Sequence, residues 1–327
     1  MASALLVAVI FLFFGGCSPA KKTIFDDKSF LELDVAKLCF VGDVGRITAL
    51  QADIARALER ENCHRIFFLG DLVYPKGIKS SDDPELQERF LNYYLPIMER
   101  NPELVMPLIL GNHDHKGEPS AWRYVSRNYP QLFFPYYYYL IDYGGLCVMA
   151  LDTSFYYYAE NVAEAVEQTN WLMSIQSRLA RCKVKVAITH HPMRGGDYPG
   201  SMDWKGAPEP LKAFLDTYVV GVVDIHLSGH VHILVDDGKD EGTRLIISGT
   251  GGENLGSDRP GFVVLNWRPQ EPSKIGYYLR RIDSEVVVEG LPEEQVGKRP
   301  EDMDSEYVID RKRVEMSFWK RFLESLK

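Results

Sequence analysis

Leu38-Cys39-Phe40-Val41-Gly42-Asp43-Val44-Gly45 sets a pattern that the chain repeats four more times: a short, non-alternating apolar run that stops at a metal-ligating side chain. The other runs are 65–70 before Asp71 and Tyr74, 105–111 before Asn112-His113-Asp114, 184–189 before His190-His191, and 222–229 before His230-Val231-His232. Short β-rich runs that are apolar at every position read as strands buried on both faces, which places the polar residues after them on loops at one edge of a sheet. Loops held by a rigid scaffold are where catalytic groups concentrate. Between the runs, residues 47–61, 84–100, 164–181 and 208–218 carry helical spacing, so the expected core is α/β with helices on its outside. The segments 146–151, 244–248, 262–267 and 275–281 read as further strands, expected to add a second sheet.

In order, Asp43-Val44-Gly45, Gly70-Asp71-Leu72-Val73-Tyr74, Gly111-Asn112-His113-Asp114, Thr189-His190-His191-Pro192 and Gly229-His230-Val231-His232 resemble the calcineurin-like metallophosphoesterases over residues 37–252. Most of that superfamily resembles Asp-x-His at the first patch, whereas this chain has Gly45 there and supplies Tyr74 after the second Asp. That is the purple acid phosphatase arrangement. The resemblance implies an αββα fold, a two-sheet sandwich flanked by helices, around two metal ions. Metal one takes Asp43, Tyr74, a bridging Asp71 and His232; metal two takes Asp71, Asn112, His190 and His230. Three potentially anionic oxygens suit a hard trivalent ion and the neutral amide and imidazoles a divalent one, so Fe(III) with Fe(II), Zn or Mn is expected.

The chemistry so implied is hydrolysis of phosphate monoesters, with a metal-bound hydroxide attacking phosphorus between ions about 3.5–4 Å apart. His113 follows a ligand without being one and is the expected general acid, with Asp114 holding its ring or raising its pKa. His191 is the expected substrate contact, and the substrate is a small phosphate ester or a phosphoprotein. The same residues also serve a phosphodiesterase or nucleotide pyrophosphatase, and a decayed version would be a non-catalytic surface binding lipoprotein. His115 and His226 match no ligand position; His226 reads as a satisfied core residue and His64 as a surface one.

With 327 residues, of which 46% are hydrophobic, the chain can bury a sizeable core, and residues 21–289 read as one catalytic domain. A net charge of −9 excludes nucleic acid as a bulk electrostatic partner. It leaves phosphate esters open, because metal ions dominate their local field. Residues 1–20 read as an export segment: the apolar stretch 4–14 is shorter than the roughly 20 residues a membrane span needs, and small residues follow it. Phe14-Gly15-Gly16-Cys17 resembles a bacterial lipoprotein processing site, which would anchor the protein to a membrane by a lipid on Cys17; cleavage near Ser18-Pro19-Ala20 is the alternative. Either route makes the protein a membrane lipoprotein or a secreted or periplasmic one.

Cys39 and Cys147 read as small buried hydrophobes, while Cys63 and Cys182 flank strands and are free to pair in an oxidising compartment. The aromatic clusters 136–139 and 155–158 read mainly as packing, and the Gly-rich turn 248–252 as a possible source of phosphate-binding amides. Residues 290–305 form an acidic, Pro-containing linker before an amphipathic helix, 310–327, with Phe318 and Phe322 on one side and Arg311, Lys312 and Lys320 on the other.

Overall fold

The computed structural model describes residues 23–194, 206–255, 259–282 and 306–308. It contains the strands β1 (Ile24–Asp26), β2 (Ala36–Val41), β3 (Arg65–Leu69), β4 (Met106–Ile109), β5 (Leu132–Phe133), β6 (Tyr139–Asp142) and β7 (Leu146–Ala150). They continue with β8 (Val184–Ile188), β9 (Ile225–Ser228), β10 (Leu234–Asp240), β11 (Thr243–Ser248), β12 (Gly261–Trp267), β13 (Lys274–Arg281) and β14 (Glu306–Val308). One sheet has the order β1-β6-β7-β8-β9-β11-β10 and the other β14-β13-β12-β2-β3-β4-β5. The centre of each is parallel: β7, β8, β9 and β11 in the first, β2 to β5 in the second.

The partition corrects the expected one. Of the four strands assigned to a second sheet, β7 and β11 lie in the first sheet and β12 and β13 in the second. The five ligand-bearing strands divide as well, β2, β3 and β4 against β8 and β9. A run that is apolar on both faces says that a strand is buried, but not which neighbour it pairs with.

Both faces are covered, which is why the runs do not alternate. Phe40, Phe67, Leu69 and Ile109 of the second sheet meet Val148, Val186, Ile188 and Leu227 of the first in a shared apolar layer. The opposite faces bury Cys39, Val41, Ile66 and Phe68 under Ala49–Glu61 and Asn92–Arg100, and Met149, Ala187 and Ile247 under Val162–Ser174 and Glu209–Tyr218. Four layers result, helix on sheet on sheet on helix. Ala49–Glu61 starts at Thr48, whose Oγ1 accepts the Gln51 amide at 3.1 Å, and stops at Asn62 in the left-handed region. It is two residues shorter than its sequence suggests because Ile47 has φ 57°.

The cysteine expectation is also corrected. The disulfides are Cys39–Cys63 and Cys147–Cys182, with Cα separations of 5.9 and 5.8 Å. Cys39 lies opposite Ile66 in the β2–β3 pair and Cys147 opposite Lys185 in the β7–β8 pair, so each strand cysteine meets the one three residues before its register partner. His226 is buried and bonded to Thr189 Oγ1 at 2.7 Å, as a satisfied core residue should be. His64 is half-buried rather than superficial, its Nδ1 accepting the Lys37 amide at 3.0 Å. Among the described residues no helix is long and apolar enough to cross a membrane. The export segment with Cys17, the 290–305 linker and the C-terminal helix lie outside the described residues.

Candidate metal centre

The carboxyl ends of β2, β3, β4, β8 and β9 bring all five patches to one edge of the sandwich. Asp43 (φ 63°), Asp71 (φ 54°) and His230 (φ 68°) sit in the left-handed region, which residues other than glycine seldom occupy and which concentrates at functional sites. Each is held by the others' loops: the Asp43 amide donates to the Gly70 carbonyl at 3.0 Å, the His113 amide to Asp71 Oδ1 at 2.8 Å, and the His230 amide to Asp43 Oδ2 at 2.8 Å. A Cβ on Gly45 would lie 2.2 Å from the Leu72 carbonyl oxygen. The loop carrying Tyr74 therefore occupies the space that a side chain at position 45 would need.

The donors fall into two groups. In one, the Tyr74 hydroxyl is 2.9 Å from Asp43 Oδ1 and 3.0 Å from His232 Nε2, with His232 Nε2 3.4 Å from Asp43 Oδ1. In the other, Asn112 Oδ1 is 2.9 Å from His190 Nε2 and 3.0 Å from His230 Nδ1, and those two nitrogens are 3.3 Å apart. Asp71 joins them, with its Oδ1 3.4 Å from His190 Nε2. Asp43, Asp71 and His190 all present ligand atoms within 4.8 Å of one another, and so do His190, His191 and His230.

Orientation and charge fit cations at these places. His190 Nδ1 donates to the Leu69 carbonyl at 2.9 Å and His232 Nδ1 to Glu253 Oε2 at 2.9 Å, which leaves each Nε2 facing the donors. Burial disfavours charge on His190, but the adjacent Asp71 outweighs it and lifts the imidazole to about 9. Burial likewise opposes charge on His232, and hydrogen bonds to Asp43 and Glu253 lift it to about 9. Burial and the His190 charge hold His230 down at about 3. Burial raises the Tyr74 phenol well above its ordinary range, with Asp43 adding to the effect. Without cations, buried carboxylates must thus draw protons onto neighbouring imidazoles, and positive charge delivered here would take their place.

His113 is half-buried, its ring 4.4 Å from that of Tyr74 and its Nδ1 donating to the Pro75 carbonyl at 2.6 Å. Asp114 neither holds that ring nor raises its pKa, which burial lowers. Its fully buried carboxylate accepts the amides of Gly111 (2.9 Å), Leu72 (3.1 Å) and Val73 (3.3 Å), so it fastens the β4 loop to the β3 loop. His191 is buried beside His190 and His230, with ring centroids 4.9 and 4.6 Å away, its Nδ1 2.9 Å from Thr153 Oγ1 and its ring stacked on Tyr157.

Two amides of the Gly-rich turn are committed to backbone: Gly249 donates to the Ile233 carbonyl and Gly251 to the Gly42 carbonyl. Of the aromatic clusters, Tyr136, Tyr138 and Phe155 pack together, and Tyr157 reaches the site. Sequence reasoning missed Arg46, Glu253 and the His115–Asp152 pair, which meets at 2.7 Å. Arg46 follows the first motif directly and Glu253 follows the Gly-rich turn, but no spacing rule singles out either.

A family model described as calcineurin-like phosphoesterase matches residues 36–234, and the chain belongs to that family. Purple acid phosphatase 4 of Arabidopsis thaliana is 23% identical over 260 residues, 72% of each chain. Purple acid phosphatase 17 of the same plant is 25% identical over 200 residues, 56% of each chain. Among solved structures, GAP50, described as the anchor in the inner membrane complex of Plasmodium, superposes with a TM-score of 0.52 at 17% identity, covering 76% of this chain and 90% of that one. A dimetal phosphatase from Danio rerio gives 0.51 at 12% identity, covering 75% and 96%. Family and relatives together define a purple acid phosphatase-like metallophosphoesterase, a phosphoester hydrolase of a family that uses a dinuclear metal centre.

Proposed function

We propose that the protein is an exported acid phosphatase that hydrolyses phosphate monoesters, with Fe(III) in the first donor group and Fe(II), Zn or Mn in the second. The observation that carries this reading is the Tyr74 hydroxyl between Asp43 and His232, at 2.9 and 3.0 Å, opposite a Gly45 that has no room for a histidine. Asp43, Tyr74, Asp71 and His232 would hold the first ion and Asp71, Asn112, His190 and His230 the second. Bound there, the ions supply Lewis acidity toward the phosphoryl group and an activated water.

The chain's own residues do the rest. His113, pinned through Nδ1 to Pro75, keeps Nε2 for a proton passed to the departing alkoxide. That role needs the imidazolium, which burial disfavours, so the rate falls on the alkaline side beginning below the ordinary imidazole range. Asp114 keeps the His113 loop against the Tyr74 loop, and Tyr157, stacked on the buried His191, lines the substrate side. Small phosphate esters or phosphoproteins are the substrates. Two disulfides support a location outside the cytoplasm, by a lipid on Cys17 or by secretion.

The test compares p-nitrophenyl phosphate with its bis-ester, alongside elemental analysis and the visible spectrum. Monoester preference, two metals per chain and a broad visible band lost in Tyr74→Phe are expected. Preference for the bis-ester at a site without iron would replace this reading by a divalent phosphodiesterase.

A further inference from the structure

Arg46 and Glu253 stand outside both donor groups, yet they close around one of them. Glu253 Oε2 is 2.9 Å from His232 Nδ1 and 2.9 Å from a terminal nitrogen of Arg46. The Arg46 guanidinium carbon lies 3.9 Å from the centroid of the Tyr74 ring, and the Tyr74 hydroxyl returns to His232 Nε2 at 3.0 Å. Four side chains from four loops thus form a closed circuit with Asp43 on its inner side.

The backbone fixes this circuit at several points. The amides of Arg46 and Ile47 both donate to Gln51 Oε1, at 3.0 and 2.9 Å, and Thr48 Oγ1 donates to the Gly252 carbonyl at 2.6 Å. A Cβ on Gly252 would lie 2.9 Å from the Arg46 Cβ, so glycine there lets Arg46 and Glu253 meet. Ile47 is a β-branched residue at φ 57°, a conformation kept only where its surroundings over-determine it.

In the second donor group, by contrast, His190 is oriented by the neutral Leu69 carbonyl. We infer that Arg46 and Glu253 are positioning residues for the first cation alone: Glu253 fixes the His232 tautomer that turns Nε2 inward, while Arg46 pins Glu253 and lays positive charge on the face of Tyr74. A carboxylate behind a ligating imidazole sets its ring angle and raises its basicity, and losing such a partner costs 10–100-fold in metal affinity. A cation over a phenolate lowers the energy of the electrons that the phenolate donates, so the colour of a ferric–phenolate band should depend on Arg46.

The colour arm rests on the ferric reading proposed above; the affinity arm does not. The full chain loaded with zinc is mixed with a chelator and its two release phases are timed, for wild type, Glu253→Ala and Glu253→Gln. Glu253→Ala is expected to accelerate one phase by about 10–100-fold and leave the other unchanged. Glu253→Gln, whose amide oxygen still accepts from Nδ1, should restore most of the difference. Wild-type release in Glu253→Ala, or equal acceleration of both phases, would overturn the inference. In the iron-loaded protein, Arg46→Met should move the visible band to longer wavelength and Arg46→Lys should largely restore it; an unmoved band overturns the role of Arg46. A colourless wild type would remove the ferric reading while the zinc release still decides for Glu253.

Discussion

His113 and Asp114 are adjacent in sequence and sit in different surroundings. The imidazole faces the Tyr74 ring with one nitrogen fixed, whereas the carboxylate is sealed under three backbone amides. With His113 as the proposed general acid, its replacement by Ala should lower kcat on alkyl phosphates by about 10²–10⁴-fold, with metal content and melting temperature unchanged. Replacing Asp114 by Ala strands buried donors instead and should cost about 3–5 kcal/mol of stability, read by denaturant unfolding, before any effect on proton transfer can be separated. The ten candidate residues were legible because each lies within a few positions of a strand end, and all but His190 and His191 also close to a glycine, a pattern that survives in one dimension. Asp114's actual partners were not, since two of its three amides come from a loop some 40 residues earlier.

Strands and helices were legible wherever apolar spacing is local, as in β2, β3, β8 and the helix Ala49–Glu61. Strand pairing was not: β7 and β12 carry equally apolar runs and belong to different sheets. The disulfides follow from that pairing, one clasp in each sheet at an equivalent register. With cysteines 24 and 35 residues apart, each closes a loop worth about 3.5 kcal/mol in the unfolded chain. Converting either pair to Ala should lower stability by about that amount, measured by denaturant titration. His226 on β9 adds a pH dependence of its own. Burial depresses its imidazole to about 4 from an unfolded value of 6.5, so the unfolded chain binds the extra proton and stability falls as pH drops from 6.5 toward 4. The loss reaches about 3 kcal/mol, and His226→Gln, compared with wild type at pH 7.5 and 4.5, should lack that part of the slope.

At the scale of the molecule, each donor group draws on both sheets: Asp43 and Tyr74 come from one and His232 from the other, as do Asn112 on one side and His190 and His230 on the other. Cations bound there would add their binding free energy to the docking of sheet on sheet, about 4 kcal/mol when free metal exceeds Kd a thousandfold. Dialysis against a chelator should lower the melting temperature by several degrees, with readdition of metal restoring it; an unchanged transition would show that the centre carries no such load.

The same division has a consequence for the order of events in the life of one chain. A nascent polypeptide that has reached residue 189 displays three of the five patches and no histidine of either donor group, and one that stops before residue 230 still has a single imidazole pair beside Asn112. Neither fragment holds a complete donor group of either kind. With the ligand set proposed above, both sites are completed only when the last ligand has been synthesised and the two halves have closed on each other, so that a full complement of ions would be a signature of a finished molecule.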